Sequence, residues 1–136
     1  MAGTVKRRAK HPVRREGTAA FALVQRIGLA LPEVEAATNW AGFPVLRARG
    51  CFLAGLASHR SAEPGTLVVR CALDERERLV EEAPDTYYVT DYYHPYPLVL
   101  VRLAHVHQDA LRELLAMSWR MAVAKARRTR HSRGRA

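Results

Sequence analysis

The chain has 136 residues, enough for one domain with its own core and too few for a second. Hydrophobic residues make up 49% and charged residues 26%, a globular balance that excludes collagen-like, disulfide-dense, membrane-spanning and globally disordered chains. The formal net charge of +9 is concentrated at the ends: residues 1–15 hold six basic residues, residues 120–136 hold seven, and neither stretch holds an acid, which leaves nine basic against 13 acidic residues in 16–119.

Residues 1–16 read as a disordered basic arm. Lys6-Arg7-Arg8-Ala9-Lys10-His11 runs into Pro12 with no apolar segment behind it, so a secretory signal is not expected and the chain reads as cytoplasmic. From Thr18, a plausible N-cap, the residues Phe21, Val24, Ile27, Gly28 and Leu31 recur at three- and four-residue steps, which predicts a helix ended by Pro32. Glu33–Thr38 reads as a short strand or a turn. Pro44–Arg49 and Cys51–Ala57, joined at Gly50, predict a β-hairpin, and Thr66–Cys71 predicts a third strand rich in β-branched residues.

Asp74–Glu82 predicts a second helix, capped by Asp74, with Asp74 and Arg78 as an i,i+4 pair and Pro84 beyond it. Tyr87–Thr90 predicts a short strand. Asp91–Pro97 is a loop, because Pro95 and Pro97 lack backbone donors. Leu98–Ala104 predicts the strongest strand, from which Arg102 points to solvent or to a partner. Asp109 opens a last helix, and beyond Lys125 the pattern passes into a disordered basic tail, 126–136. The expected fold is α+β: a single antiparallel sheet with helices packed on one side, formed by a domain spanning 17–125.

The sequence contains no phosphate-binding Gly-rich loop, no dinucleotide fingerprint and no nucleophile elbow, so no catalytic activity and no cofactor are expected. Cys51 and Cys71 lie in separate apolar segments and read as buried reduced thiols. His105 and His107 have no carboxylate or thiol close in sequence except Asp109, and they read as a surface pair with no metal. His59 reads as solvated. Adjacent acids at Glu33/Glu35 and Glu81/Glu82 read as solvated faces.

Two segments stand out. Asn39-Trp40-Ala41-Gly42-Phe43-Pro44 places two aromatics around a glycine turn. Tyr87–Tyr96 holds all five tyrosines of the chain, of which Tyr92, Tyr93 and Tyr96 join Trp40 as candidate recognition aromatics. Tyrosine, with an apolar body and a polar tip, suits a recognition surface and also the half-buried rim of a sheet.

These segments also carry a resemblance. Leu31-Pro32-Glu33-Val34-Glu35, Trp40-x-Gly42-x-Pro44, Phe52-x-Ala54-Gly55-Leu56, Thr66-Leu67-Val68-Val69-Arg70 and Asp91-Tyr92-Tyr93-x-x-Tyr96-Pro97-x-Val99-Leu100-Val101-Arg102-Leu103 resemble the bacterial MmcQ/YjbR-like proteins over about residues 18–124. The resemblance implies a CyaY/frataxin-like α+β fold and a proposed double-wing DNA-binding motif, with no enzymatic activity attached. Members often carry a basic residue and glycine where this chain has His94 and Pro95, which makes its loop stiffer and less cationic at neutral pH. Frataxin-like architecture also suggests iron, but Arg76 and Arg78 interrupt the acidic run Glu75, Glu77, Glu81 and Glu82.

Two functional expectations follow. In the first, the chain binds DNA non-specifically and with salt dependence, through strand arginines Arg47, Arg49, Arg70 and Arg102 and through tail arginines Arg127, Arg128 and Arg130. In the second, it is an adaptor for a small molecule or protein, with an aromatic pocket built from Trp40 and the Tyr87–Tyr96 segment.

Overall fold

A computed structural model describes residues 20–135, the last six by backbone alone. The expected basic arm 1–16 and the Thr18 cap lie outside the described residues. Helix α1 covers residues 20–29. It is followed by β1 (Val34–Thr38), β2 (Pro44–Ala48), β3 (Cys51–Leu56), β4 (Thr66–Arg70), α2 (Leu73–Glu82), β5 (Tyr87–Tyr88), β6 (Leu98–Arg102) and α3 (Gln108–Arg135). The six strands form a single antiparallel sheet in the order β1-β2-β3-β4-β6-β5. In the segment open to two readings, Glu33–Thr38, the strand β1 begins at Val34 and Glu33 belongs to the turn before it.

Alternation along the strands creates two unlike faces. Leu46, Ala54, Val69 and Val99 line up across four strands, and Leu67 with Val101 and Tyr87 across three. This face holds the main core, against Phe21 and Val24 of α1 and Leu111, Leu115 and Ala122 of α3, all at most 2% exposed. Helix α1 crosses so closely that a Cβ on Gly28 would run into the Leu46 side chain.

Strand β3 is interrupted by a bulge. Leu46 pairs with Ala54 and Arg47 with Phe52, so Leu53 is the extra residue. The bulge leaves two backbone carbonyls for side chains to satisfy. Ser118 of α3, fully buried, donates its hydroxyl to Leu53 O at 3.0 Å from the helix side. Arg70 donates Nε to Phe52 O at 2.6 Å from the other side.

The β2–β3 connection is a two-residue turn, Arg49-Gly50, with φ of 52° and 81°. Both residues at positive φ match a type I′ hairpin. Glu33 also has positive φ, at 61°. These two non-glycine residues in left-handed backbone hold each other: the Arg49 guanidinium pairs with the Glu33 carboxylate, and Arg49 N donates to Glu33 O at 3.4 Å.

Two expected helix ends are corrected. The N-cap of α2 is Ala72, with no side-chain cap bond, and Asp74 lies in the first turn, where its carboxylate accepts from Glu75 N at 2.9 Å. Arg78 pairs with Glu75 and Glu82, which flank it by three and four residues, in place of Asp74. Second, α3 continues to Arg135 in place of a disordered tail from 126. Its Ala- and Arg-rich sequence has no proline and meets a glycine only at Gly134, so nothing stops the helix earlier.

Replacing Ser118 by Ala leaves the Leu53 carbonyl buried without its donor. The expected cost is about 1–3 kcal/mol, read as a lower urea midpoint at unchanged m-value.

Candidate functional site

No helix of the described residues covers the second face of the sheet. Its middle is sealed by two loops, 57–65 and 89–97. Tyr93, 8% exposed, packs on Val68 and Leu100. Its hydroxyl accepts from His59 N at 3.3 Å, and burial pushes its phenol above the ordinary value. The Tyr92 ring stacks on His59 at 3.5 Å between centroids, and Tyr93 meets both rings edge-on. His59 Nδ1 lies 2.8 Å from Ser61 Oγ, which lies 2.9 Å from Thr90 Oγ1. His59, expected in solvent, therefore ties the two loops together.

At one end of this face Arg102 is fully engaged. It donates to both Glu63 oxygens, at 2.7–3.1 Å, and to the carbonyls of Pro84 and Asp85, and its guanidinium lies 4.2 Å from the Tyr88 ring centre. The Tyr88 hydroxyl accepts from Glu63 N at 2.8 Å and meets Thr66 Oγ1 at 2.6 Å. The Arg102 hydrogen bond holds the Glu63 carboxyl below its usual range.

At the other end, by the bulge, the arginines are arranged differently. Arg47 stands opposite Phe52 across the β2–β3 ladder, and Arg70 reaches the Phe52 carbonyl from β4, so the two cations flank Phe52. Arg47 is exposed and Arg70 half-buried. Burial lowers the Arg70 guanidinium from its usual value. No ion pair to either is found among the described residues. The four strand arginines thus do not form one cluster: Arg47 and Arg70 come together, Arg49 is tied to Glu33, and Arg102 is tied to Glu63 at the far end.

Arg127 and Arg128 are exposed on α3; the helix backbone includes Arg130, whose side chain lies outside the described residues. Trp40 is 95% exposed in the β1–β2 turn. That turn is well ordered by hydrogen bonds: the Asn39 carboxamide accepts from Ala41 N and Phe43 N, Gly42 N donates to Asn39 O, and Asn39 N donates to Phe43 O. Tyr96 is 52% exposed. The candidate aromatics are therefore not one pocket: Tyr92 and Tyr93 belong to the loop seal and Trp40 stands apart in its turn.

Sequence reasoning missed Arg76. It is 6% exposed in α2, and Nη1 donates to Tyr96 O at 3.0 Å and Leu98 O at 3.2 Å, which anchors the end of the tyrosine loop. An arginine inside an acidic helix offers no sequence signal for that role. Burial also pushes the Cys71 thiol up to about 12, which leaves it protonated and unreactive at neutral pH. Among the described residues no three His, Cys, Asp or Glu side chains converge as a metal site would require, and no helix is long and apolar enough to cross a membrane. His107 Nδ1 accepts from Asp109 N at 3.2 Å and so caps the start of α3.

The fold is that of an α+β protein with one six-stranded antiparallel sheet and three helices. The YjbR family pattern matches residues 29–121, and the chain belongs to the YjbR family. No curated protein and no solved structure matches it.

Because its pKa is depressed on folding, Glu63 contributes stability above the ordinary carboxylate pKa and loses it as pH falls through the folded value. Glu63→Gln is therefore expected to melt below the parent at pH 7, with the gap closing as pH is lowered below about 4. Glu63 is 54% exposed, so solvent screening keeps the gap at pH 7 to at most about 1 kcal/mol. Thermal melts at several pH values check it.

Proposed function

We propose that this YjbR-family protein binds nucleic acid by phosphate contacts, without sequence preference, in the cytoplasm and without catalysing a reaction. The observation that carries the proposal is the second half of α3. Glu113 is the last acidic residue of the chain, and the helix continues to Arg135. Along it Arg120, Lys125, Arg127 and Arg128 are exposed, and Ala126 is the last buried residue of the described side chains. No ion pair to these four cations is found among the described residues. A helix presents them at fixed spacing, with Arg120 and Arg127 on one stripe about 10 Å apart.

The rest of the charge distribution supports the same reading. Arg49, Arg78 and Arg102 are each neutralised by a carboxylate. Among the described residues, the cations without one include those on α3, Arg47 and Arg70 at one end of the open face, and the exposed Arg26 and Arg60. A polyanion gains most where cations are not already paired, because each phosphate it brings displaces counterions and not a protein carboxylate. The adaptor reading, with an aromatic pocket for a small molecule or protein, has less support, since Trp40 stands in its own turn while Tyr92 and Tyr93 belong to the loop seal.

Fluorescence anisotropy of the full chain with a labelled duplex of about 20 base pairs, at several salt concentrations, tests the proposal. The expected log–log salt slope is steeper than about −2. Arg127→Glu with Arg128→Glu is expected to weaken binding at least tenfold and to flatten the slope by about 1.8, and Arg47→Ala to flatten it by about 0.9. Absence of binding at low salt, or a slope near zero, overturns the reading.

A further inference from the structure

We propose that β1 is a self-association edge. Two copies of this chain pair their β1 strands antiparallel about a two-fold axis through Ala36, and each Trp40 turn lands on the Leu31–Pro32 corner of the other copy.

The hydrogen-bond pattern of β1 determines the register. Toward β2, Arg49 N donates to Glu33 O at one end of the strand and Asn39 N to Phe43 O at the other. Since bonding alternates along an antiparallel pair, residues 33, 35, 37 and 39 face β2. Val34, Ala36 and Thr38 then direct three N–H and three C=O groups outward, away from the sheet. The strand is regular over its five pairs with β2, and Glu35, Ala36, Ala37 and Thr38 are exposed.

Edges in natural sheets are blunted by short length, charged side chains, proline, a bulge or a covering element. The opposite edge follows that rule: β5 is two residues long and packs beside α2. Among the described residues β1 has no proline, no lysine, no bulge and no covering element, and Glu35 is its one charge. Its sequence is Val-Glu-Ala-Ala-Thr, and the bulge of the sheet lies between β2 and β3.

Only a second copy matches this edge symmetrically. With the axis through Ala36, Val34 pairs with Thr38 of the other copy, Ala36 with Ala36 and Thr38 with Val34. All six outward groups are then bonded. A slip of two residues either way loses a third of those pairs. Glu35 stands opposite Ala37, so no like charges are directly opposed. The small side chains of Ala36 and Ala37 allow close approach.

The same register accounts for a second, independent feature. Because the strands run antiparallel, the end of β1 that leads into the Trp40 turn of one copy lies at the end of β1 that follows the Leu31–Pro32 corner of the other. Trp40 is 95% exposed on its hydrogen-bonded turn. Pro32 is exposed, and Leu29, at the end of α1, is 45% exposed. Pairing at the edge thus brings the most exposed aromatic ring of the described residues onto an apolar corner, twice per dimer. That corner is held in place by Trp119, whose indole N–H donates to Pro32 O at 2.8 Å. A five-residue edge and two rings make a small interface, below about 1,200 Å², so a weak dimer is expected, dissociating in the micromolar range.

Sedimentation of nuclease-treated full chain from about 5 to 500 μM, at two salt concentrations, tests the proposal. The expected result is a rise from one to two times the chain mass, strengthened at higher salt because the like-charged ends are screened. Ala36→Lys and Trp40→Ala are each expected to weaken association at least tenfold, with unchanged circular dichroism and melting. Should either variant unfold, Thr38→Lys, which leaves the β2 side untouched, is expected to give the same loss. A chain that stays monomeric throughout, a dimer indifferent to the folded variants, or association that weakens with salt overturns the proposal.

Discussion

The bulge at Leu53 is the constraint on which the two faces of this sheet depend. An extra residue in β3 takes two carbonyls out of the ladder, and a buried carbonyl without a donor costs on the order of 1–3 kcal/mol. Both are satisfied by side chains, one from each side. Ser118 reaches Leu53 O and thereby sets where α3 lies across the strands. Arg70 reaches Phe52 O and is thereby held on the open face, beside the position opposite Phe52 that Arg47 occupies. One backbone irregularity therefore fixes both the packing of the long helix and the side-by-side placement of the two strand arginines without carboxylate partners. Arg70 commits one N–H to this bond and retains the others of its guanidinium, which is how a single side chain serves the fold and remains available to an anion.

The open face shows how loops replace a helix. A sheet face without a helix must still exclude water from Val68 and Leu100, and the tyrosine segment does this. Tyr93 supplies apolar area and Tyr88 and Tyr93 place their hydroxyls where backbone N–H groups of the other loop need acceptors. The cluster of five tyrosines is therefore explained by packing for Tyr87, Tyr88 and Tyr93, and only Tyr92 and Tyr96 retain substantial exposure. Arg76 completes the seal from α2 by binding two carbonyls at the start of β6.

Much of this architecture was legible in the chain. Alternation in Pro44–Arg49, the apolar, β-branched runs at Thr66–Arg70 and Leu98–Arg102, the glycine at position 50 and the three-to-four-residue spacing in α1 are local signals, and they identified an antiparallel α+β fold. What was not legible depends on pairs distant in sequence. Arg102 and Glu63 are 39 residues apart, Ser118 and Leu53 are 65 apart, and neither pairing leaves a mark in its own neighbourhood. The bulge was hidden because Phe52, Leu53 and Ala54 are all apolar, so a shift in the facing pattern does not change the composition. The N-terminal end of α2 misled for a related reason: Asp74 has the chemistry of a cap but lies one residue inside the helix, whose actual cap is Ala72. In α3 the basic composition suggested a disordered tail, whereas arginine and alanine are also good helix formers.

Counting arginines therefore overstates what this surface offers, because a guanidinium already matched to a carboxylate has little left to give. In water an exposed ion pair is worth no more than about 1 kcal/mol, so the pairing does not chiefly matter for stability. It matters because an incoming phosphate at Arg49 or Arg102 would have to compete with a tethered carboxylate at high local concentration. At Arg47, Arg70 and along the end of α3 there is no such competitor among the described residues. The acidic helix α2 is partly self-neutralised, with Arg78 between Glu75 and Glu82, and so contributes less repulsion than its composition implies. A body that is mildly acidic by count can in this way present a cationic field to a polyanion, provided that the acids are paired and the free bases are grouped.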